Sequence, residues 1–220
     1  MDEKLWTQVD ELLETNLIST LNEDRRLINQ TRDNGLPGIN VTPLQGALLT
    51  ILVKSINASS CLEIGTLGGF SSSCIARGMD KKGKIISLEV NEKHKTVAER
   101  NLRERGLHEQ VEIRHGPAID SLKDMLKAKT YRFDFVFIDA DKMNNKNYVE
   151  LALQMCHKGS LIYVDNVVQG GAILKPSAEH DSSGNVEMVK YIKGNSKLMS
   201  TCIQTVGEKG YDGFLLAYVL

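Results

Sequence analysis

The sequence predicts an α/β fold, doubly wound around a parallel sheet and finished by an antiparallel hairpin, and three observations point to it. From Ser59 onward, short apolar runs alternate with helical patterns. The first run ends in a glycine-rich turn that opens a helix. The last two runs, Leu198–Val206 and Gly213–Val219, are separated by too few residues for a parallel crossover and must pair antiparallel.

Taken in order, the first 34 residues space Leu5, Val9, Leu12, Leu13, Leu17, Ile18, Leu21 and Leu27 closer to a period of 3.6 than of 2, predicting one or two amphipathic helices. A turn-rich loop follows at Asn34–Asn40. Thr42, Pro43 and Gln45 then supply an N-cap, a proline at N1 and a glutamine at N3, so a helix starts at Pro43. Its expected buried stripe is Leu44, Ala47, Leu48, Ile51, Leu52 and Ile56. Five strands are expected at Cys61–Ile64, Lys84–Val90, Gln110–Arg114, Phe133–Asp139 and Ser160–Asp165. The segments at about 70–79, 91–106, 117–128 and 144–157 are long enough for crossover helices. No linker or repeat divides the chain, which reads as a single domain over 1–220 with a helical cap and loop over 1–42.

Composition narrows the function. With 27 Lys plus Arg against 28 Asp plus Glu, the net charge is −1, and no basic field exists to bind a phosphate backbone. Nucleic acid is not an expected partner, and aromatic residues at 5% offer little stacking surface. No run approaches the roughly 20 apolar residues of a membrane span, and the acidic N-terminus is unlike a signal peptide. A cytoplasmic protein is expected. Cys61, Cys74, Cys156 and Cys202 then read as buried thiols, and the Asn-x-Ser/Thr triplets at Asn29, Asn40 and Asn57 as chance matches. Gly78–Ile85 imitates a phosphate loop but precedes a strand and lacks the final Ser/Thr.

In open α/β sheets ligands sit beyond the carboxyl ends of the strands, and here those ends are rich in acids. Glu63 precedes the turn Gly65–Gly69, whose glycines either admit a ligand or serve only the turn. The spacing is not that of a dinucleotide site, and Glu63 would repel a phosphate. Glu89 ends the second strand, where a carboxylate can hold two ribose hydroxyls or simply stand in solvent. A ligand with a ribose and a positive charge but no phosphate suits both acids, and S-adenosylmethionine fits that description. The fourth and fifth strands end in Asp139-Ala140-Asp141-Lys142 and Asp165-Asn166. Asp139, Asp165 and Asn166 would offer hard oxygen ligands suited to Mg²⁺ or Ca²⁺, or the two acids would cap the following helices. Lys142 reads as a surface lysine or as part of that constellation.

Together LEIGTLGGFS, IISLEV, HGPAID, FVFIDADK and YVDN resemble the cation-dependent O-methyltransferases, the catechol and caffeoyl-CoA O-methyltransferase group, and its small bacterial members most. The resemblance spans roughly residues 34–220. It implies a Rossmann-like class I S-adenosylmethionine-dependent methyltransferase with a mostly parallel seven-stranded sheet, a terminal hairpin, N-terminal helices and a catalytic core over 43–220. It further implies that Glu63, Gly65, Thr66, Leu67, Ser71, Glu89, Val90, Pro117 and Ala118 contact S-adenosylmethionine. Glu89 would take the ribose, the Gly116–Ala118 turn the adenine, Val41 or Thr42 the methionine end, with Asp139 and Asp141 nearby. Asp139, Asp165 and Asn166 match the family's metal ligands, for Mg²⁺ foremost and Ca²⁺ or Mn²⁺ otherwise, and Lys142 matches its general base. Departures lie on the substrate side: Gly170 stands where the plant enzymes carry Asn, and their longer N-terminal arm is missing. Met143–Asn145 and the loop Ala172–Gly184 are expected to line the acceptor pocket.

The implied activity is methyl transfer to one hydroxyl of a small vicinal dihydroxy aromatic, with the metal acidifying that hydroxyl and Lys142 removing its proton. A metal-independent methyltransferase of another small acceptor and a non-catalytic cofactor-binding protein are the competing readings. The N-terminal helices exceed what the sheet needs for cover, which points to a homodimer.

Overall fold

The computed structural model describes residues 3–175 and 182–220. Helices α1 (Glu3–Leu17), α2 (Leu21–Asp33) and α3 (Pro43–Ser55) precede a regular alternation: β1 (Ser60–Ile64), α4 (Phe70–Gly78), β2 (Lys84–Glu89), α5 (Glu92–Glu104), β3 (Val111–His115), α6 (Ala118–Ala128), β4 (Phe133–Ile138), α7 (Asn145–Leu153) and β5 (Cys156–Val164). Helix α8 (Ser183–Lys193) and the hairpin β6 (Leu198–Gly207) and β7 (Gly210–Val219) complete the chain. The seven strands lie in the order β3-β2-β1-β4-β5-β7-β6. The first five run parallel, and β7 pairs antiparallel with both β5 and β6. The predicted mostly parallel sheet with its terminal hairpin is therefore present.

Two apolar layers flank the sheet. Period-2 alternation sends Leu62, Ile64, Ile86, Leu88, Val136 and Ile138 to one face, against Leu122 and Met125 of α6, Val149 of α7 and Met188 of α8. Their neighbours Cys61, Ile85, Phe135 and Phe137 go to the other, against Leu49 and Val53 of α3, Ile75 of α4 and Leu102 of α5. Among the described residues no helix is long and apolar enough to cross a membrane.

The capping box is present as the sequence requires: Thr42 accepts from the Gln45 amide, and the Gln45 side chain accepts from the Thr42 amide. The buried face of α3 differs from expectation. Pro43, Gly46, Leu49 and Val53 are buried, while Ile51 is 63% exposed and the other five expected residues only half-buried. The cause is close packing on α4, since a Cβ at Gly46 would lie 2.7 Å from the Cys74 sulfur. Helix α7 stops at Leu153 and β5 begins four residues before the expected Ser160. Helix α8 was not anticipated: Gly184 and Asn185 lie on its buried face and hide its apolar spacing. That helix and a 3-10 turn at Gln169–Leu174 replace both ends of the expected loop Ala172–Gly184, whose residues 176–181 lie outside the described part. Of the cysteines, Cys61 and Cys74 are buried, but Cys156 is half-buried and Cys202, on the outer strand, is exposed.

At the amino end of the sheet, opposite the strand termini that matter for ligands, Asp134 ties three segments together. It accepts from the amides of Ser59 (2.7 Å) and Ser60 (2.9 Å), the Ser59 hydroxyl (3.1 Å) and His157 Nε2 (2.8 Å). Partial burial opposes its ionisation, but these donors outweigh it and hold its pKa below the usual carboxylate value. Its stabilising contribution is therefore complete above about pH 4 and is lost as pH falls through the lowered folded-state value. Asp134→Asn is expected to cost about 1–3 kcal/mol at pH 7, the deficit shrinking below pH 4, without altering ligand affinity. Thermal denaturation across that pH range checks this.

Candidate active site

The strand order reverses between β1 and β4: the chain winds outward through β2 and β3, then returns to place β4 beside β1. The crevice of an open sheet lies at such a reversal. The ends of the strands are hooked to one another there. The Gly65 amide donates to Leu88, that of Asp139 to Ile64, that of Asp165 to Ile138, and that of Gly116 to Glu89. Gly65 takes φ +97°, and a Cβ on it would fall 2.2 Å from the Asp139 carbonyl oxygen, so only glycine lets the turns after β1 and β4 meet.

A cavity of about 680 Å³ opens over this reversal. It is lined by many of the residues singled out from the sequence: Val41, Gly65, Thr66, Leu67, Ser71, Glu89, Val90, Pro117, Ala118, Asp139, Asp141, Lys142 and Asn166. Glu89 also holds the turn itself. Its carboxylate accepts from the amides of Thr66 (3.1 Å), Leu67 (2.9 Å) and Asn91 (2.9 Å), with His94 Nδ1 at 3.5 Å. Removing Glu89 would thus loosen the turn as well as any ligand contact.

Glu63 sits elsewhere. The alternation of β1 turns it towards α4, beneath the cavity, where Ser72 and Ser87 donate to its Oε2 while Oε1 finds no partner among the described residues. Desolvation pushes its pKa up to about 7, with Asp139 adding to the rise and hydrogen bonds from Ser71, Ser72 and Ser87 opposing it. Thr42 likewise lies off this cavity and lines a second one, of about 610 Å³, which shares Ile39, Asn40, Val41 and Asn166 with the first. Asp165 lines the second cavity also.

Between the cavities stand the strand-end acids. Asp139 and Asp165 follow the paired residues Ile138 and Val164 directly. Lys142, buried, donates from Nζ to Asp139 Oδ1 at 2.7 Å. Asp165 is 3% exposed, and desolvation together with the Asp139 charge pushes its pKa up to about 7, against the pull of Lys142. Asn166 adopts φ +53° and donates from Nδ2 to Asp212 Oδ2 at 3.1 Å, which commits its nitrogen and leaves its oxygen for a ligand. Asp212 also accepts from the amides of Val168 and Gln169 and from its neighbour Gly213, fixing the loop after β5. The donor set is two carboxylates and one amide. Among the described residues no group of three or more His, Cys, Asp and Glu is gathered for a metal. The hard oxygens and the mutual repulsion of two enclosed carboxylates nevertheless fit a divalent cation.

The profile of the O-methyltransferase family matches residues 16–217. This chain belongs to that family. A catechol O-methyltransferase of Mycobacterium tuberculosis is 44% identical over 184 residues, covering 84% of this chain and 82% of its own. The O-methyltransferase of Bacillus cereus, solved in complex with SAH, superposes with a TM-score of 0.95 at 39% identity, covering 99% of this chain and all of its own. The O-methyltransferase TomG of Streptomyces achromogenes, in complex with SAM, gives 0.94 at 35% identity, covering 100% and 99%. Family, fold and O-methyltransferase class agree with the sequence reading, and the match extends further towards the N-terminus than residue 34.

Of the expected pocket segment Met143–Asn145, Asn144 lines the first cavity, while Asn145 is buried in α7. Several other lining residues escaped the sequence. Tyr148 is one: it and Asn144 donate to the two oxygens of Asp141 at 2.5 and 2.6 Å, so Asp141 is held from both sides. Tyr148, His94 and Ile119 line the first cavity, and Asp212 and Lys209 the second. Of these, only Tyr148, seven residues and so about two helical turns beyond Asp141, stands at a spacing that the sequence displays.

Glu63 yields a signed pH prediction. Its folded pKa of about 7 exceeds the ordinary 4.5, so its contribution is complete below pH 4.5 and is lost as pH rises through 7, because the folded state must keep a proton that the unfolded chain releases. The decline is at most about 3 kcal/mol. Glu63→Gln is expected to remove this part of the slope in denaturant titrations between pH 4.5 and 7.5, and an unaltered slope would rule it out.

Proposed function

We propose that this chain is an S-adenosylmethionine-dependent O-methyltransferase that requires a divalent cation, Mg²⁺ foremost, and methylates one hydroxyl of a small vicinal dihydroxy aromatic. The observation that carries the reading is the placement of Asp139, Asp165, Asn166 and Lys142 at the border of two adjoining cavities. The first has the glycine turn and Glu89 for a nucleoside, and the second is open to an acceptor. The names of the similar catechol enzyme and of the SAM and SAH complexes support the same assignment.

Asp139, Asp165 and Asn166 would hold the cation, which when bound supplies Lewis acidity to a ring hydroxyl. Asp165 is rigid because its amide is tied to Ile138, and Asn166 because Asp212 fixes its side chain. Glu89, already oriented by three amides, presents its remaining lone pairs to ribose hydroxyls. Lys142 stands beside Asp139 as the group that takes the hydroxyl proton at Nζ. The shared border of the cavities would bring an acceptor oxygen towards the donor's methyl, and positioning of this kind is worth roughly 7–11 kcal/mol in well-oriented systems.

The chain is also proposed to act as a homodimer through α1 and the outer strand. Val9, Leu12, Leu13 and Leu17 of α1 are exposed apolar residues, as are Met199 and Ile203 on one face of β6, the strand on which α1 packs. Sedimentation equilibrium of the wild type and of Leu12→Glu tests this, a monomeric wild type being the contrary result.

Turnover of catechol is expected to cease in excess EDTA and return with Mg²⁺; undiminished turnover would contradict cation dependence. Lys142→Met should lower kcat by about 10²- to 10⁴-fold, with S-adenosylmethionine affinity by calorimetry retained. Asp165→Ala should raise the Mg²⁺ concentration needed for half-maximal rate by more than tenfold.

A further inference from the structure

The second cavity, which Asp165 and Asn166 line, is also lined by the two-residue turn of the terminal hairpin. Because β7 runs antiparallel to β5, the turn Gly207–Gly210 comes back to the ligand end of the sheet. Among the described residues that line this cavity, Lys209 is the one cation. The acids around it have other work. Asp212 accepts from three amides and from Asn166, and Asp10 accepts from the Glu208 amide at 2.7 Å. Lys209 forms no ion pair within 4.0 Å among the described residues.

The backbone that carries Lys209 is fixed from a distant part of the chain. Besides the Asp10 contact to Glu208, a Cβ at Gly207 would lie 2.4 Å from Asp10 Oδ2, so α1 packs directly on the turn. Lys209 is exposed to solvent while lining the cavity. Protein around it still desolvates the ammonium and lowers its pKa, against the attraction of Glu208, Asp139 and Asp165. Leu44, Leu48 and Phe214 supply apolar lining in the same cavity, suited to the faces of an aromatic ring.

We propose that Lys209 selects acceptors that carry a carboxylate, on the ring or on a short side chain, at the end away from the hydroxyl to be methylated. This rests on the function proposed above and names its substrate class: acidic catechols, such as dihydroxybenzoates or dihydroxycinnamates, ahead of neutral or amine-bearing ones. The physical reason is the sign of the local field. With a cation held by Asp139 and Asp165, the acids left around this cavity are Asp10, Glu208 and Asp212, and Lys209 is the cation among its described lining residues that can receive an acceptor's carboxylate. A lysine is a compact charge on a flexible stem and tolerates acceptors of different length.

The test compares wild type, Lys209→Met and Lys209→Glu on 3,4-dihydroxybenzoate, catechol and dopamine, in Mg²⁺ and S-adenosylmethionine. The expected result is that the KM ratio of dihydroxybenzoate to catechol rises at least tenfold in Lys209→Met, with kcat for dihydroxybenzoate within threefold of wild type. Lys209→Glu should shift preference towards dopamine. In parallel, calorimetric titration of the Mg²⁺ and S-adenosylhomocysteine complex with dihydroxybenzoate should show the same loss of affinity in Lys209→Met. A KM ratio and a binding affinity that both stay unchanged overturn the proposal, as does an equal loss for all three acceptors. Failure of the wild type to methylate any of them would refute the proposed function separately, since the binding titration judges Lys209 without turnover.

Discussion

The approach of Gly65 to the carbonyl of Asp139 is the constraint on which the site depends. It is a steric fact about one missing side chain: with any Cβ at position 65 the turns after β1 and β4 could not share the space they do. Because they share it, the nucleoside side of the crevice and the acidic side meet without a gap. The strand-end amides then carry the registration outward, from Leu88 to Gly65, from Ile64 to Asp139 and from Ile138 to Asp165. Each donor satisfies a carbonyl that would otherwise end its strand unpaired, so the hydrogen bonds that finish the sheet also set the positions of the strand-end acids.

Below the glycine turn lies a buried polar layer that the chemistry does not touch directly. Glu63, Ser72, Ser87 and Thr66 are all enclosed, and the Ser87 hydroxyl lies within hydrogen-bonding distance of both Thr66 and Glu63. An apolar layer would pack there at lower desolvation cost. The polar one instead gives the turn a set of directional contacts, so that Thr66 is held through its side chain from below and through its amide by Glu89. The turn is thereby held in one conformation before any ligand arrives.

How much of this could be read from the chain depends on whether a residue's role is local. The capping box at Thr42, the strands, the hairpin and the acids at strand ends follow from neighbours a few positions away, and all were legible. Helix α8 was not, because Asn185 spends a core position on bonds to the backbone of Asn166 and Val167 and to Asn145, which breaks the apolar period. The role of Asp212 is invisible in sequence for a similar reason, since its partners in the loop after β5 lie more than forty residues away. Glu63 reads as a ligand contact because it precedes a glycine turn, yet the strand's alternation turns it inward. The face of α3 was misjudged because Gly46, which carries no hydrophobic signal, marks the closest contact.

The hydrogen bond from Glu208 to Asp10 spans 198 positions and joins the first helix to the last turn. Such a closure carries one of the largest loop entropies the chain can incur, and it cannot form until the terminal hairpin has been made. The first helix and the last turn therefore depend on each other: whatever loosens α1 at Asp10 also reaches the wall of the second cavity, although the two segments lie at opposite ends of the chain.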